Sequence, residues 1–419
     1  MNEKMKVFLG KASVKNGIWM YFLQFFNAVI PLMTLPYITR ILGAEQYGIF
    51  SIALNIVTYL QVLVEYGFGM SATRKIALAE KKDLSKLFSS VLYARSFLLF
   101  VSLMISLSYN FVHKSNTQLT ISLVILLICL LGYSVQMDWV FQGKQEMKYI
   151  SIVNIISRTI SVIGIFAFVR TAEDLFLYCF LYSVSPLLSG FFGLFIAKKK
   201  YKLNLRKLHM HEIYNEIKDG WFVFTTQLSA KAFGAIGVTF LGIFAPPTEV
   251  GIFSAIQKIP NIMILAWTPI SQVVYPISSQ HFKNGWKEGT EFVYKVRKYI
   301  LPFFLVGGLL VNIFSKDIIL ILFGSAYAEY FYWVTPLLLW LIVAINNNFM
   351  GVQILLGSGQ DKECGASVPI GVLSTVLFNL VLIYFFKGTG AAIAPIISEG
   401  ILGVMLYIKI KKINKQNIS

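Results

Sequence analysis

Glu45-Gln46-Tyr47-Gly48-Ile49-Phe50-Ser51-Ile52-Ala53-Leu54-Asn55-Ile56 is answered 203 positions later by Thr248-Glu249-Val250-Gly251-Ile252-Phe253-Ser254-Ala255-Ile256-Gln257-Lys258-Ile259. The tetrapeptide Gly-Ile-Phe-Ser is common to both, and the same offset sets Gly17 on Gly220 and Gln24 on Gln227. In each copy an apolar run, a tight turn and a second apolar run follow one another. An offset close to half of the 419 residues reads as two similar halves. Internal symmetry of this kind belongs to membrane transporters assembled from repeated bundles.

The composition agrees. The chain is 56% hydrophobic and 14% charged, with a mean hydropathy of +0.68, whereas soluble domains carry about 25% charged residues. Residues 16–39, 46–64, 115–137, 175–197 and 364–386 contain no charge at all. A run of about 20 apolar residues crosses the hydrocarbon as a helix, which satisfies its own backbone hydrogen bonds. The alternating ten-residue segments of a β-barrel are missing. The fold class is therefore an all-α integral membrane protein with about twelve transmembrane helices in two six-helix bundles, related by a parallel internal repeat. The spans fall at 16–38, 48–70, 87–111, 119–141, 149–170, 174–197, 219–243, 250–275, 299–315, 331–356, 364–386 and 391–409. Residues 1–197 form the first bundle, 198–218 a basic cytoplasmic connector and 219–419 the second bundle. Ile213, Ile217 and Trp221 stand at helical spacing and predict a helix at the interface within that connector.

Charge sets the orientation. With the N-terminus inside, the cytoplasmic segments hold 28 of the 37 Lys and Arg residues, and the outer loops hold Arg40, Lys114, Arg170, Lys316 and Lys387. This positive-inside bias puts both ends in the cytoplasm. The net charge of +17 then serves topology and attraction to anionic membrane lipids, not nucleic acid. The basic start through Lys15 precedes a run too long for a signal peptide, and it is read as an uncleaved first helix.

Enzyme chemistry has no foothold. Cys129, Cys179 and Cys364 lie in or beside apolar runs without metal-ligand spacing. His113, His209, His211 and His281 fall in loops, and His209-x-His211 on a Lys-rich loop reads as solvated. There is no Walker loop, no Gly-x-Ser-x-Gly and no His-Glu-x-x-His. Neither a cofactor nor a metal site is expected.

Charges inside the spans carry the functional signal, because each is expensive unless it faces a bundle interior or a wet cavity. The cations are Arg95, Arg158, Lys231 and Lys258, staggered in depth; Arg95 and Arg158 lie roughly 12–14 Å from the cytoplasmic ends of their helices. Facing one cavity they make a ladder for an anion; alternatively, Arg95 and Arg158 snorkel to the inner headgroups. The acids Glu65, Asp138 and Glu399 are candidates for pairing with a cation or carrying a coupling ion. Asn346-Asn347-Asn348 is a polar cluster suited either to sugar hydroxyls, through Asn346, or to joining helices.

Leu35-Pro36-Tyr37-Ile38-Thr39-Arg40-Ile41-Leu42-Gly43 with Tyr47-Gly48 resembles the first helical hairpin of Wzx-type O-antigen and polysaccharide flippases. So do Tyr66-Gly67-Phe68 with Ser71-Ala72-Thr73-Arg74, and Asp138-Trp139-Val140-Phe141-Gln142-Gly143 with Met147-Lys148-Tyr149. Glu65 stands where that family more often has Asp. The resemblance implies the multidrug/oligosaccharidyl-lipid/polysaccharide (MOP) exporter superfamily and a bacterial inner (plasma) membrane location. It implies translocation of undecaprenyl-pyrophosphate-linked oligosaccharide, in polysaccharide and lipopolysaccharide biosynthesis, by alternating access and coupled to an ion gradient. A polysaccharide polymerase and a chain-length regulator are implied as partners. It also implies a central cavity lined by spans one, two, seven and eight, which contain Gln24, Glu65, Lys231 and Lys258. Two alternatives stand beside it: a drug or cation exporter of the same superfamily, which calls for acids in the cavity, and a membrane polymerase, which calls for a large outer loop.

Overall fold

The computed structural model describes residues 3–112 and 117–418. His113 and Lys114 lie outside them, as do the side chains of the N-terminal lysines Lys4, Lys6, Lys11 and Lys15. The described residues are helical throughout, without a strand. Among the described residues, nine helical segments are long and apolar enough to cross a membrane. Two of them, Asn16–Leu78 and Asp361–Lys415, are long enough for two crossings each. The first breaks at Gly43 (φ 72°) and the second at Lys387 (φ 49°). With the remaining helix, Met210–Phe244, the crossings number twelve, as the hydropathy pattern predicts.

In chain order the helices are α1 (Glu3–Glu65), α2 (Phe68–Leu78), α3 (Lys81–Val112), α4 (Thr117–Leu126), α5 (Ile128–Val135), α6 (Asp138–Gly143), α7 (Met147–Phe168), α8 (Leu175–Tyr201) and α9 (Met210–Phe244). There follow α10 (Pro247–Ile256), α11 (Lys258–Lys283), α12 (Trp286–Ile313), α13 (Ser315–Phe323), α14 (Ser325–Ala328), α15 (Val334–Asn348), which continues as a π-helix over Phe349–Leu356, and α16 (Asp361–Ile418). Packing divides the chain into two compact units, Met1–Thr34 with Ile49–Gly234 and Leu35–Gly48 with Ala235–Ser419.

In the first unit, Phe68, Phe88, Trp139 and Phe141 form a core joined by Ile213, Ile217 and Phe224 from α9. Tyr66 stacks on Phe224 at 4.5 Å between ring centroids. A Cβ on Gly67 (φ 74°) would lie 2.6 Å from Val223, so the turn between α1 and α2 needs glycine for both its backbone and its contact. Lys75 bridges Glu216 and Asp219, each at 2.9 Å, and Lys86 meets Glu212 at 2.6 Å. Ile213, Ile217 and Trp221 thus belong to one unbroken helix, α9; the separate interfacial helix expected in the connector is absent from the described residues. The ninth crossing differs as well. It starts at Trp286, in a segment that the charge count assigns to a cytoplasmic loop, and α13 is a distinct helix after it. Exposed Phe100, Phe195, Phe303 and Phe385 lie on these helices, where the surrounding solvent is hydrocarbon.

The repeat has a direct structural counterpart in the second unit. After Gly43 the helix resumes at Ala44, and 203 residues on, after Pro246, α10 starts at Pro247. The two equivalent starts pack on one another reciprocally. A Cβ at Gly48 would sit 1.7 Å from the Pro247 carbonyl oxygen, and one at Gly251 would sit 2.0 Å from that of Ala44. Backbone meets backbone here, with no room for any side chain. Gly48→Ala and Gly251→Ala should each lower unfolding stability in detergent by about 1–3 kcal/mol through overpacking. Gly400→Ala, at a helical position with open space around it, should be neutral or stabilising. Equal melting temperatures for all three variants would contradict the contact.

Candidate functional site

The fourth crossing is broken. α5 ends at Val135, Gln136 is extended (φ −67°, ψ 130°), and α6 starts at Asp138. The carbonyls freed at such a break have no water in hydrocarbon and need a donor. Arg95 of α3 provides it: Nη1 donates to Gln136 O at 2.7 Å and Tyr133 O at 3.3 Å. The side chain is buried, with 4% of its surface exposed, and its Nε has no partner among the described residues. Glu65 and Asp138 act on it electrostatically. Each of these acids is held by an amide: Gln61 donates to Glu65 at 2.8 Å and Gln136 to Asp138 at 2.9 Å. Arg95 and Asp138, both singled out from sequence, therefore meet at one break through Gln136, and Arg95 is engaged within its own unit.

Arg158 of α7 donates to Asn27 Oδ1 on α1 at 2.8 Å. Phe50, Tyr178 and Tyr182 form an aromatic cluster in the same unit, with Phe50 at 4.6 Å and 5.2 Å from the two tyrosine rings. Gln24 is exposed. Lys231, on α9, is also exposed, with no hydrogen bond or ion pair to any described residue. Lys258, the first residue of α11, is exposed.

In the second unit the asparagine cluster is split between roles. Asn347 donates to both the backbone oxygen and Oε2 of Glu399, each at 2.7 Å. Asn348 accepts from Ser271 at 2.9 Å. Asn346 is half-buried, and its Oδ1 is a buried acceptor without a partner among the described residues. Gln353 in the π-helix is fully buried and donates to the backbone oxygen and hydroxyl of Ser271 at 3.1 Å and 3.0 Å. At the Lys387 break, the freed Gly388 N–H donates to Glu249 Oε2 at 3.0 Å, and Trp333 donates to Thr389 at 3.0 Å.

Sequence reasoning missed Asn27, Gln61, Gln136, Glu249 and Gln353. For the four amides the signal was present, since each is a polar side chain flanked by apolar residues, but attention to formal charge passed over them; Glu249 lies at the start of a span, where a charge reads as solvated. Arg95→Ala leaves the break uncapped and two acids without their cation. It should cost about 3–5 kcal/mol, and Arg95→Lys, which keeps the charge, should cost less. Thermal unfolding in detergent measures both, and an Arg95→Ala protein as stable as the parent would refute this capping role.

Twelve apolar crossings, with intramembrane breaks closed by charged side chains, define a multi-pass membrane protein. The chain belongs to the polysaccharide biosynthesis protein family, whose family model matches residues 13–282. It is 28% identical over 406 residues to a putative O-antigen transporter of Escherichia coli (strain K12), covering 95% of this chain and 96% of that protein. It is 23% identical over 408 residues to the probable low-salt glycan biosynthesis flippase Agl15 of Haloferax volcanii, covering 93% of this chain and 82% of that protein. Among solved structures, the lipid II flippase MurJ in its inward closed conformation matches with a TM-score of 0.71 at 13% identity, over 95% of this chain and 87% of that one. An inward-facing multidrug resistance MATE family transporter of the MOP superfamily matches with a TM-score of 0.63 at 12% identity, over 93% and 99%. The fold is that of the MOP superfamily, as the first-hairpin motifs imply.

Proposed function

We propose that this chain is a flippase. It turns an oligosaccharide repeat unit on undecaprenyl pyrophosphate from the inner to the outer leaflet of the bacterial inner membrane. Two six-helix bundles, 1–197 and 219–419, joined by the connector 198–218, alternate in access, and both termini are cytoplasmic. The observation that supports this reading is that Lys231 and Lys258 are exposed lysines on apolar membrane helices, with no ion pair to any described residue. An uncompensated cation in a membrane protein is costly unless water or an anion meets it, and a pyrophosphate is such an anion. The relatives support the substrate class: one is named an O-antigen transporter and another a glycan biosynthesis flippase. An exporter of cationic drugs calls for acids where these lysines stand. Asn346, Gln24 and Arg158 are the further candidates for contact with the glycan and its phosphates, and a polymerase and a chain-length regulator take the product onward.

The test is flipping of undecaprenyl-pyrophosphate oligosaccharide in proteoliposomes. Lys231→Ala and Lys258→Ala each remove one charge-assisted contact of about 1.5–3 kcal/mol, so transport should fall about ten- to a hundredfold at limiting substrate. Transport unchanged in both variants would keep the flippase and remove the lysines from the path. Failure of the wild type across several glycans and imposed ion gradients would favour the exporter.

A further inference from the structure

At the end of the second unit where α16 breaks at Lys387, the consecutive residues Glu329-Tyr330-Phe331-Tyr332-Trp333 lie together. They join α14 to α15, and Phe331–Trp333 make one short 3-10 turn. Trp333 is the floor of the group. It is 2% exposed, and its Nε1 donates to Thr389 Oγ1 at 3.0 Å. Tyr330 packs on it at 4.7 Å between ring centroids, and Tyr332 at 6.1 Å with the two rings near a right angle (76°). Tyr330 and Tyr332 are in turn 6.3 Å apart and within 30° of parallel. Tyr332 keeps 47% of its surface exposed.

Two carboxylates adjoin these rings. Glu329 is exposed and precedes Tyr330 in the chain. Glu249 reaches the group through the break in α16. Its Oε2 accepts the Gly388 N–H at 3.0 Å, and a Cβ on Gly388 would lie 2.2 Å from the Trp333 ring. The other oxygen, Oε1, takes part in no hydrogen bond among the described residues. Burial, then Glu249, Tyr332 and Glu329, hold the Tyr330 hydroxyl above the usual phenol range, so both carboxylates are within electrostatic reach of it.

Aromatic rings at the end of a crossing ordinarily anchor the chain among lipid headgroups. These rings stand against one another, and carboxylates beside them repel a phosphodiester by like charge. The same parts suit a sugar. A pyranose presents an apolar C–H face, which the negative face of an aromatic ring attracts, and hydroxyls that donate to carboxylates. We propose that this patch is a saccharide-binding platform, on which a neutral pyranose lies against Tyr330 and Tyr332 and donates hydroxyls to Glu249 and Glu329. Only its side of the membrane rests on the flippase reading. With both termini cytoplasmic the platform faces outward, where it receives the glycan that has crossed.

Saturation-transfer NMR tests this on the purified full-length protein in detergent, with free maltotriose, cellotriose and chitotriose as probes and trigalacturonate as the acidic control. Transfer should reach the ring C–H protons of a neutral probe and be weaker for trigalacturonate. Tyr332→Ala and Glu329→Gln should each raise the dissociation constant about tenfold, whereas Tyr332→Phe, which keeps the ring, should bind as the parent does. Glu329→Gln, at an exposed position, carries the test if Tyr332→Ala does not fold. Transfer to none of the neutral probes, or equal binding by the parent, Tyr332→Ala and Glu329→Gln, overturns the proposal. So does binding in detergent that vanishes in phosphatidylglycerol nanodiscs, which would make the rings a headgroup anchor. The probes carry no lipid, so the two failures are distinct: a protein that flips glycolipid and binds no free sugar loses the platform alone, and one that binds sugar without flipping keeps it.

Discussion

Hydrocarbon accepts and donates no hydrogen bonds, so every place where this chain leaves the helix inside the membrane must bring its own partners. The chain departs at three main places, and at two of these places the break is closed by a charged side chain from elsewhere in the same unit. At the α5–α6 break Arg95 donates to the freed carbonyls. At Lys387 the Glu249 carboxylate accepts the Gly388 N–H. Just before the Gly43 break, Arg40 reaches the last turn of α13, donating to Ile321 O and, at 3.4 Å, to Leu320 O. A cation at a helix C-terminus and an anion on a free N–H are the arrangements that the peptide dipole favours. The charges thus fix the breaks, and the breaks fix which way the following helices leave.

The repeat adds a second constraint of a different kind. Gly48 and Gly251 are equivalent in sequence, and each presses on the residue that starts its partner's helix. Reciprocity is what a local two-fold relation produces, as at an isologous interface between subunits. Such a contact is intolerant of any added atom yet buries little apolar surface, so it specifies position more than it contributes energy. Elsewhere small residues serve the same purpose between helices: Gly132 and Gly190 let α5 and α8 touch backbone to backbone, beside the carbonyl that ends at Pro186.

Most of this fold was legible in the sequence, because hydropathy runs of spanning length record the bilayer itself. The 203-residue offset relates the two equivalent helix starts, Ala44 and Pro247, although the spans read from hydropathy begin at 48 and 250. What was not legible depends on packing between distant segments. The early start of α12 at Trp286 lies in a charged, amphipathic stretch that hydropathy reads as loop, and α9 absorbs a segment that reads as a separate helix. The π-helix over Phe349–Leu356 leaves no mark in composition. For the site, charge alone named Arg95 and Asp138, but only the geometry brings them to one break, because their link through Gln136 spans α3 and α6.

The intramembrane charges consequently fall into two physical kinds, which a sequence cannot tell apart. Arg95, Glu65, Asp138 and Glu399 are held by named partners at hydrogen-bonding distance, and a group so held is positioned to respond to protonation or to hold a helix. Lys231 and Lys258 are exposed residues with no such partner among the described residues. A lysine is a strongly hydrated point charge on a flexible stem, able to follow an anion over several ångströms without breaking an internal bond. An arginine locked onto two carbonyls has no such reach without uncapping its helix. The division follows from cost: the chain cannot use for a moving ligand a charge on which its own backbone depends. On the proposed reading, the passage of an anion therefore falls to the lysines and not to the charges bound at the breaks.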